Sequence, residues 1–159
     1  MARRVAFAGS FMSVIGLLVA TVPGQAGGKK SDSEVKIAAA ASQPDSSGRQ
    51  TLTVTLIHNK GWHTYANPVG NEDFASNKTV ITLLVHGKPV SAKIDYPIGR
   101  TIKDKAIGDY KVYQDKIAIH ASLQRAQGDA SPVQVQVRLQ ACSDKGICLL
   151  PATVKLTVK

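Results

Sequence analysis

Apolar and polar residues alternate with period two along much of the chain. The clearest stretches are Leu52, Val54 and Leu56 set against Thr51, Thr53 and Thr55, and Val133, Val135, Val137 and Leu139 set against Gln134, Gln136, Arg138 and Gln140. In a strand this spacing puts one set on a buried face and the other in water. Segments 35–41, 51–58, 79–86, 92–96, 110–113, 116–123, 133–141 and 154–158 are short, rich in Val, Ile, Thr and Leu, and read as strands. Between them, 43–49, 86–89, 127–132 and 143–146 carry the Gly, Pro, Asp, Asn and Ser that turns require. Beyond residue 26 no window sustains the i, i+3, i+4, i+7 spacing of a capped helix. The pattern predicts an all-β, immunoglobulin-like antiparallel sandwich.

The 159 residues suit one domain, and 43% hydrophobic with 19% charged residues is a globular composition rather than a disordered or polytopic one. Residues 1–26 open with Arg3 and Arg4, continue through an apolar run and end in Pro23-Gly24-Gln25-Ala26, the plan of a cleaved signal peptide. The alternative is an uncleaved anchor of about minimum spanning length. Residues 27–33 are Gly-, Lys- and Ser-rich, so a flexible lead-in is expected there, with the domain over 34–159. No later apolar run is long enough to span a bilayer, so the expected product is periplasmic or otherwise exported, and soluble after cleavage. The formal charge of +9 is spread thinly, with no basic run interleaved with aromatics, so a nucleic-acid partner is not expected.

The most specific stretch is Leu139-Gln140-Ala141-Cys142-Ser143-Asp144-Lys145-Gly146-Ile147-Cys148-Leu149-Leu150-Pro151. An apolar strand enters, a turn follows, and a second segment leaves before Pro151, which cannot donate to a ladder. Cysteines flanking such a turn can face each other on neighbouring strands, where a disulfide is geometrically possible. The closed ring is small and worth only about 2 to 2.5 kcal/mol on the chain-entropy model, so stabilisation alone is a modest reason for the pair. A structural hairpin disulfide in an immunoglobulin-like binding or assembly module is the competing reading.

Gln140-Ala141-Cys142-Ser143-Asp144-Lys145-Gly146-Ile147-Cys148 followed by Leu149-Leu150-Pro151 resembles the N-terminal periplasmic domain of the thiol:disulfide interchange protein DsbD. Gly61-Trp62-His63-Thr64-Tyr65 resembles that family's aromatic-rich segment. Tyr96-Pro97-Ile98-Gly99, then Gly108 and Tyr113-Gln114-Asp115, resemble its central region. The resemblance implies an immunoglobulin-like fold and a redox relay without metal or organic cofactor. Electrons would come from a thioredoxin-like domain or protein and pass to a periplasmic disulfide isomerase or another thiol protein. It further implies that Cys148 enters mixed disulfides and that Cys142 resolves them. The chain departs from the family in the cap over the cysteines, where Asp104, Lys105, Ala106, Ile107 and Gly108 offer no aromatic ring, so shielding is expected to be weaker or to rest on Ile107. The chain ends at Lys159, so the donor is expected to act in trans.

Trp62 and Tyr65 could form a contact surface near the cysteines or be plain core. His58 and His63 with the two thiols are a conceivable soft-metal set, but the spacing matches no ligand pattern. All four histidines, His58, His63, His86 and His120, are expected at the surface or at strand ends, and no metal is expected.

Overall fold

A computed structural model describes residues 28–159; the signal-peptide reading falls on residues outside the described ones. Among the described residues, twelve strands form three four-stranded sheets in which every strand pairing is antiparallel. In chain order they are β1 (Val35–Ala41), β2 (Arg49–His58), β3 (Trp62–Tyr65), β4 (Val80–Val85), β5 (Lys88–Pro89) and β6 (Ala92–Asp95), then β7 (Arg100–Ile102), β8 (Tyr110–Gln114), β9 (Lys116–Gln124), β10 (Val133–Leu139), β11 (Ala141–Ser143) and β12 (Ala152–Val158). The sheets run β1-β2-β9-β6, β12-β10-β4-β5 and β11-β3-β8-β7.

The first two sheets make the sandwich, and the period-two pattern decides which faces meet. Leu52, Val54, Leu56, Ile119, Ala121 and Leu123 on one sheet share a core with Ile81, Leu83, Val85, Val133, Val135, Val137 and Leu139 on the other. Aliphatic burial, at about 1.5 to 3 kcal/mol per large side chain, is the main force holding the sheets together. Tyr113 of β8 is buried in this same core, and its hydroxyl donates to the carbonyls of Asn67 and Pro97 while accepting from the Asn67 N–H. That residue fixes the third sheet to the sandwich. Buried Arg125 bonds Gln50, the Ser131 carbonyl and Asp129 at the opposite end, an ordinary paired cation.

Three local readings change. The segment 133–141 is not one strand: after Leu139 the chain switches sheets, and Ala141 resumes pairing with β3 rather than with β12. Segment 86–89, read as a turn, is a hairpin with only His86 and Gly87 in the turn, both at positive φ, and Lys88–Pro89 already paired. Within the expected lead-in, residues 30–33 pack against the domain. Ser31–Ser33 form a 3-10 turn, and Ser31 is fully buried, because its hydroxyl and amide have partners only on the domain. The strands of the third sheet at 62–65 and 100–102 carry no strand signal in the sequence, being too short to show alternation.

Candidate redox site

Cys142 of β11 and Cys148 are joined in a disulfide and face each other as a single antiparallel bridge, with Cα atoms 4.0 Å apart. The flanking amides close the ladder on either side: Ser143 N–H donates to Ile147 O at 2.8 Å and Leu149 N–H to Ala141 O at 2.9 Å. The cysteines therefore occupy a non-hydrogen-bonded pair, the position at which opposed side chains approach most closely. Gly146, at φ +80°, supplies the left-handed residue that lets the turn reverse within Ser143 to Gly146.

The two sulfurs are not equivalent. Cys142 is 3% exposed, whereas Cys148 lies on the exposed side of the hairpin. The Tyr65 hydroxyl sits 3.8 Å from Cys142 Sγ and, because a disulfide sulfur carries no proton, is the one of the two groups able to donate. Below the pair, Ser31 ties the feet of both legs together: its hydroxyl donates to Leu150 O at 2.7 Å and accepts from the Ala141 N–H at 2.8 Å. The two legs are thus held together by a contact that does not involve the disulfide.

Register in the third sheet decides what else surrounds the sulfurs. Cys142 is opposite His63, which is opposite Gln114; Tyr65 is opposite Val112, which is opposite Arg100; Tyr110 is opposite Ile102. Directly opposed residues share a face, and so do residues two apart. His63, Tyr65, Arg100, Ile102, Tyr110 and Cys142 therefore point to one side, where they line a cleft of about 510 Å³ with Phe74 and the hairpin residues Asp144 and Cys148. Tyr65, Phe74 and Tyr110 pack as an aromatic trio, with centroids 5.0 to 5.9 Å apart. Trp62 belongs to the other face and packs against the sandwich core, so the structure separates the two aromatics that the sequence grouped: Tyr65 lines the cleft and Trp62 does not.

From the cap segment, Asp104 and Ile107 reach the cleft, while Lys105, Ala106 and Gly108 are exposed and do not line it. The Asp104 carboxylate accepts from the Ala106 and Ile107 amides at 2.8 and 3.2 Å, and Asn71 donates to Ile107 O at 2.9 Å. This local turn holds Ile107 at the cleft that contains the sulfurs, yet the residue stays 49% exposed.

His58 and His63 are buried, His58 at the strand end of β2 as expected and His63 inside β3, whereas His86 and His120 are exposed. Both ring nitrogens of His58 are engaged, one with Asp115 O and one with the Thr64 hydroxyl, on the opposite face of β3 from His63. His63 Nδ1 lies 3.4 Å from Asp144 Oδ1. Burial pulls the His63 imidazole below its usual value of 6.5, with Asp144 opposing that shift and Arg100 adding to it. Burial likewise holds the Tyr65 phenol above its ordinary range, with Tyr110 adding to the shift. Among the described residues no group of three or more His, Cys, Asp or Glu side chains converges as a metal site.

The family model described as "Thiol:disulfide interchange protein DsbD, N-terminal" matches residues 33–159. The chain belongs to this family. Comparison with the curated proteins finds no match. Among solved structures, the N-terminal periplasmic domain of ScsB from Proteus mirabilis is similar at 18% identity and a TM-score of 0.50, with 86% of this chain and 48% of that chain covered. This chain thus spans about half of that one. The reduced DsbD N-terminal domain of Neisseria meningitidis aligns at 14% identity and a TM-score of 0.47, over 80% of this chain and 86% of that one. A complex of the DsbD and PilB N-terminal domains from the same organism aligns at 13% identity and 0.48, over 75% and 80%. Membership in the DsbD N-terminal family agrees with the antiparallel sandwich and with a domain of thiol:disulfide interchange.

His63, Asp144, Arg100, Phe74 and Tyr110 escaped the sequence reading as cleft residues. Reading 62–65 as a strand would have placed His63 with Tyr65 by alternation, but Phe74 lies in a 3-10 turn and carries no periodic signal. No helix among the described residues is long and apolar enough to cross a membrane.

Proposed function

We propose that this chain is an exported thiol:disulfide exchange module that relays reducing equivalents through Cys142 and Cys148. Its donor is a thioredoxin-like domain or protein, and its acceptor is a periplasmic disulfide isomerase or another thiol protein. Residues 1–26 serve as the export signal, and residues 34–159 form the working domain, with Ser31 as its clasp. The observation that carries this reading, in a chain of the DsbD N-terminal family, is the unequal burial of the two sulfurs at the mouth of an aromatic cleft.

Attack needs an approach in line with the S–S bond, and only Cys148 offers its sulfur to a large partner. A donor thiolate attacks Cys148 Sγ, a donor–Cys148 disulfide forms, and the electron pair of the broken bond leaves on Cys142. The donor's second thiolate then attacks its own bridged sulfur and releases Cys148 as a thiolate, so two electrons have entered the pair. In the outward half-reaction the Cys148 thiolate attacks the acceptor disulfide. Cys142 then displaces the acceptor thiolate and restores the Cys142–Cys148 bond. Tyr65 donates toward Cys142 Sγ whenever that sulfur carries charge. Ile107 lines the cleft but is exposed, which leaves the pair open to small thiols as well.

Trapping tests the assignment. Cys142→Ser should accumulate a partner as a mixed disulfide on Cys148, because the resolving thiol is gone, whereas Cys148→Ser should trap none. The opposite pattern reverses the roles. Redox titration tests the module itself: a potential above about −300 mV suits exchange, and one well below it suits a purely structural bridge.

A further inference from the structure

The resolving half-reaction asks something of Cys142 that the exchange reading leaves open. This sulfur is 3% exposed among Tyr65, Val69 and neighbouring aromatics, and burial in apolar surroundings disfavours its thiolate. Cys142 nonetheless has to act as the nucleophile that expels the acceptor. A nearby proton acceptor would remove that difficulty.

We propose that His63 is the general base that deprotonates Cys142 during resolution, with Asp144 orienting the imidazole. The inference rests on the exchange reading. Its geometric basis is the sheet register: His63 is directly opposite Cys142, a relation that brings Cβ atoms to about 4.5 to 5.5 Å. Both side chains line the same cleft. The carboxylate of Asp144, 3.4 Å from Nδ1, can only accept a hydrogen bond, so the neutral ring carries its proton on Nδ1 and leaves the Nε2 lone pair free. Asp144 is itself positioned by its amide, which donates to Gly61 O at 2.9 Å.

The ionisable groups lining the cleft with the imidazole are Cys142 from β11, Asp144 and Cys148 from the hairpin, Arg100 from β7, Tyr110 from β8, Tyr65 from β3 itself and Asp104 from the cap, and His58 couples to it from the end of β2. Burial keeps His63 neutral at physiological pH and hence competent as a base, while Asp144 stabilises the imidazolium that forms. In the step, the Cys142 S–H bond breaks and its proton goes to Nε2. The sulfur lone pair attacks Cys148 Sγ and the Cys148–acceptor bond breaks. The acceptor departs with that electron pair as a thiolate, two electrons richer. The imidazolium then returns its proton to water in the cleft.

Oxidised glutathione is a suitable probe. The reduced full-length chain is mixed with it and quenched in acid at intervals. Mass spectrometry then separates the dithiol, the glutathione mixed disulfide and the internal disulfide. His63→Gln should slow conversion of the mixed disulfide to the internal one by about a hundredfold near neutral pH. The parent rate should level off above the titration of His63, while the variant rate keeps rising with pH as hydroxide replaces the missing base. In a Cys142→Ser background, where only Cys148 can attack, His63→Gln should change the rate of glutathionylation by less than about threefold. Asp144→Asn, on an exposed turn and so tolerant of exchange, should lower the plateau and move its acid limb to lower pH. An unchanged resolution profile in both His63→Gln and Asp144→Asn overturns the role of His63, and an unchanged Asp144→Asn profile does so alone if His63→Gln fails to fold. Failure of the Cys142→Ser protein to take up glutathione at Cys148 overturns the exchange reading itself.

Discussion

The sandwich and the third sheet obey the same alternation but spend it differently. In the sandwich one face of each sheet is aliphatic and dry, with Val54, Leu56, Val133, Val135 and Val137 fully buried, and the other face is wet. In the third sheet both faces are occupied. Tyr113 and Ala141 go to the main core, while Tyr65 and Cys142 form a second cluster with Val69, Phe74 and Tyr110. The first arrangement makes a rigid platform. The second keeps a disulfide half-covered on that platform, in a cleft it shares with aromatic rings, a histidine and a carboxylate. A reactive bond needs a fixed address and an open side, and separating the two demands between regions lets each be met.

The contrast predicts that damage to the two regions reads out differently. Leu56→Ala, in the sandwich, should cost about 2 to 5 kcal/mol by chemical denaturation, with the potential of the folded protein's cysteine pair unchanged. A shift in that potential would show that the core and the cleft are coupled. Reducing the disulfide should cost no more than about 2.5 kcal/mol, because the ring is small and Ser31 still joins the legs. Unfolding on addition of reductant at ambient temperature would favour a structural bridge instead.

Ser31→Ala should remove about 1.5 kcal/mol by leaving the buried Ala141 N–H without a partner, and the loss should be larger in the reduced form, where no covalent bond holds the legs. Equal losses in both redox states would mean that the clasp does not serve the hairpin.

Stability should also fall on acidification. His58 and His63 both have pKa values depressed by burial, so between 6.5 and their folded values the unfolded chain binds more protons. Their contribution is complete above about 6.5 and is lost as pH drops through the interval beneath it. Denaturation midpoints at pH 7.5 and 5.5 should differ in the parent, and less so in His63→Gln. The smallest effect concerns the cap: Ile107→Phe should slow reduction of the pair by a small thiol several-fold and Ile107→Ala should speed it, with the fold intact. Equal rates in all three proteins would show that Ile107 does not gate access.

Much of the sandwich was legible because burial on one face of a strand writes period two directly into the residues. Segment 35–41 matches β1, and 51–58 and 116–123 lie within β2 and β9. The third sheet was less legible for a physical reason. Its strands run from three to five residues, and β11 is buried on both sides, so Ala141 and Cys142 are consecutive and both inside. Alternation cannot be seen in a strand that has no wet face.

Local chemistry along the chain determined the hairpin turn, the proximity of Cys142 and Cys148, and the aliphatic core, since each depends on residues a few positions apart or on a repeated spacing. Tertiary structure alone decided which sulfur is exposed, that Tyr65 turns to the cleft while Trp62 turns to the core, that Ser31 reaches across to the hairpin, and that His63 stands beside Cys142 with Asp144 behind it. Those relations join residues up to 119 positions apart, and those within the third sheet are set by register. Register is a property of paired strands, and a single strand's sequence does not contain it.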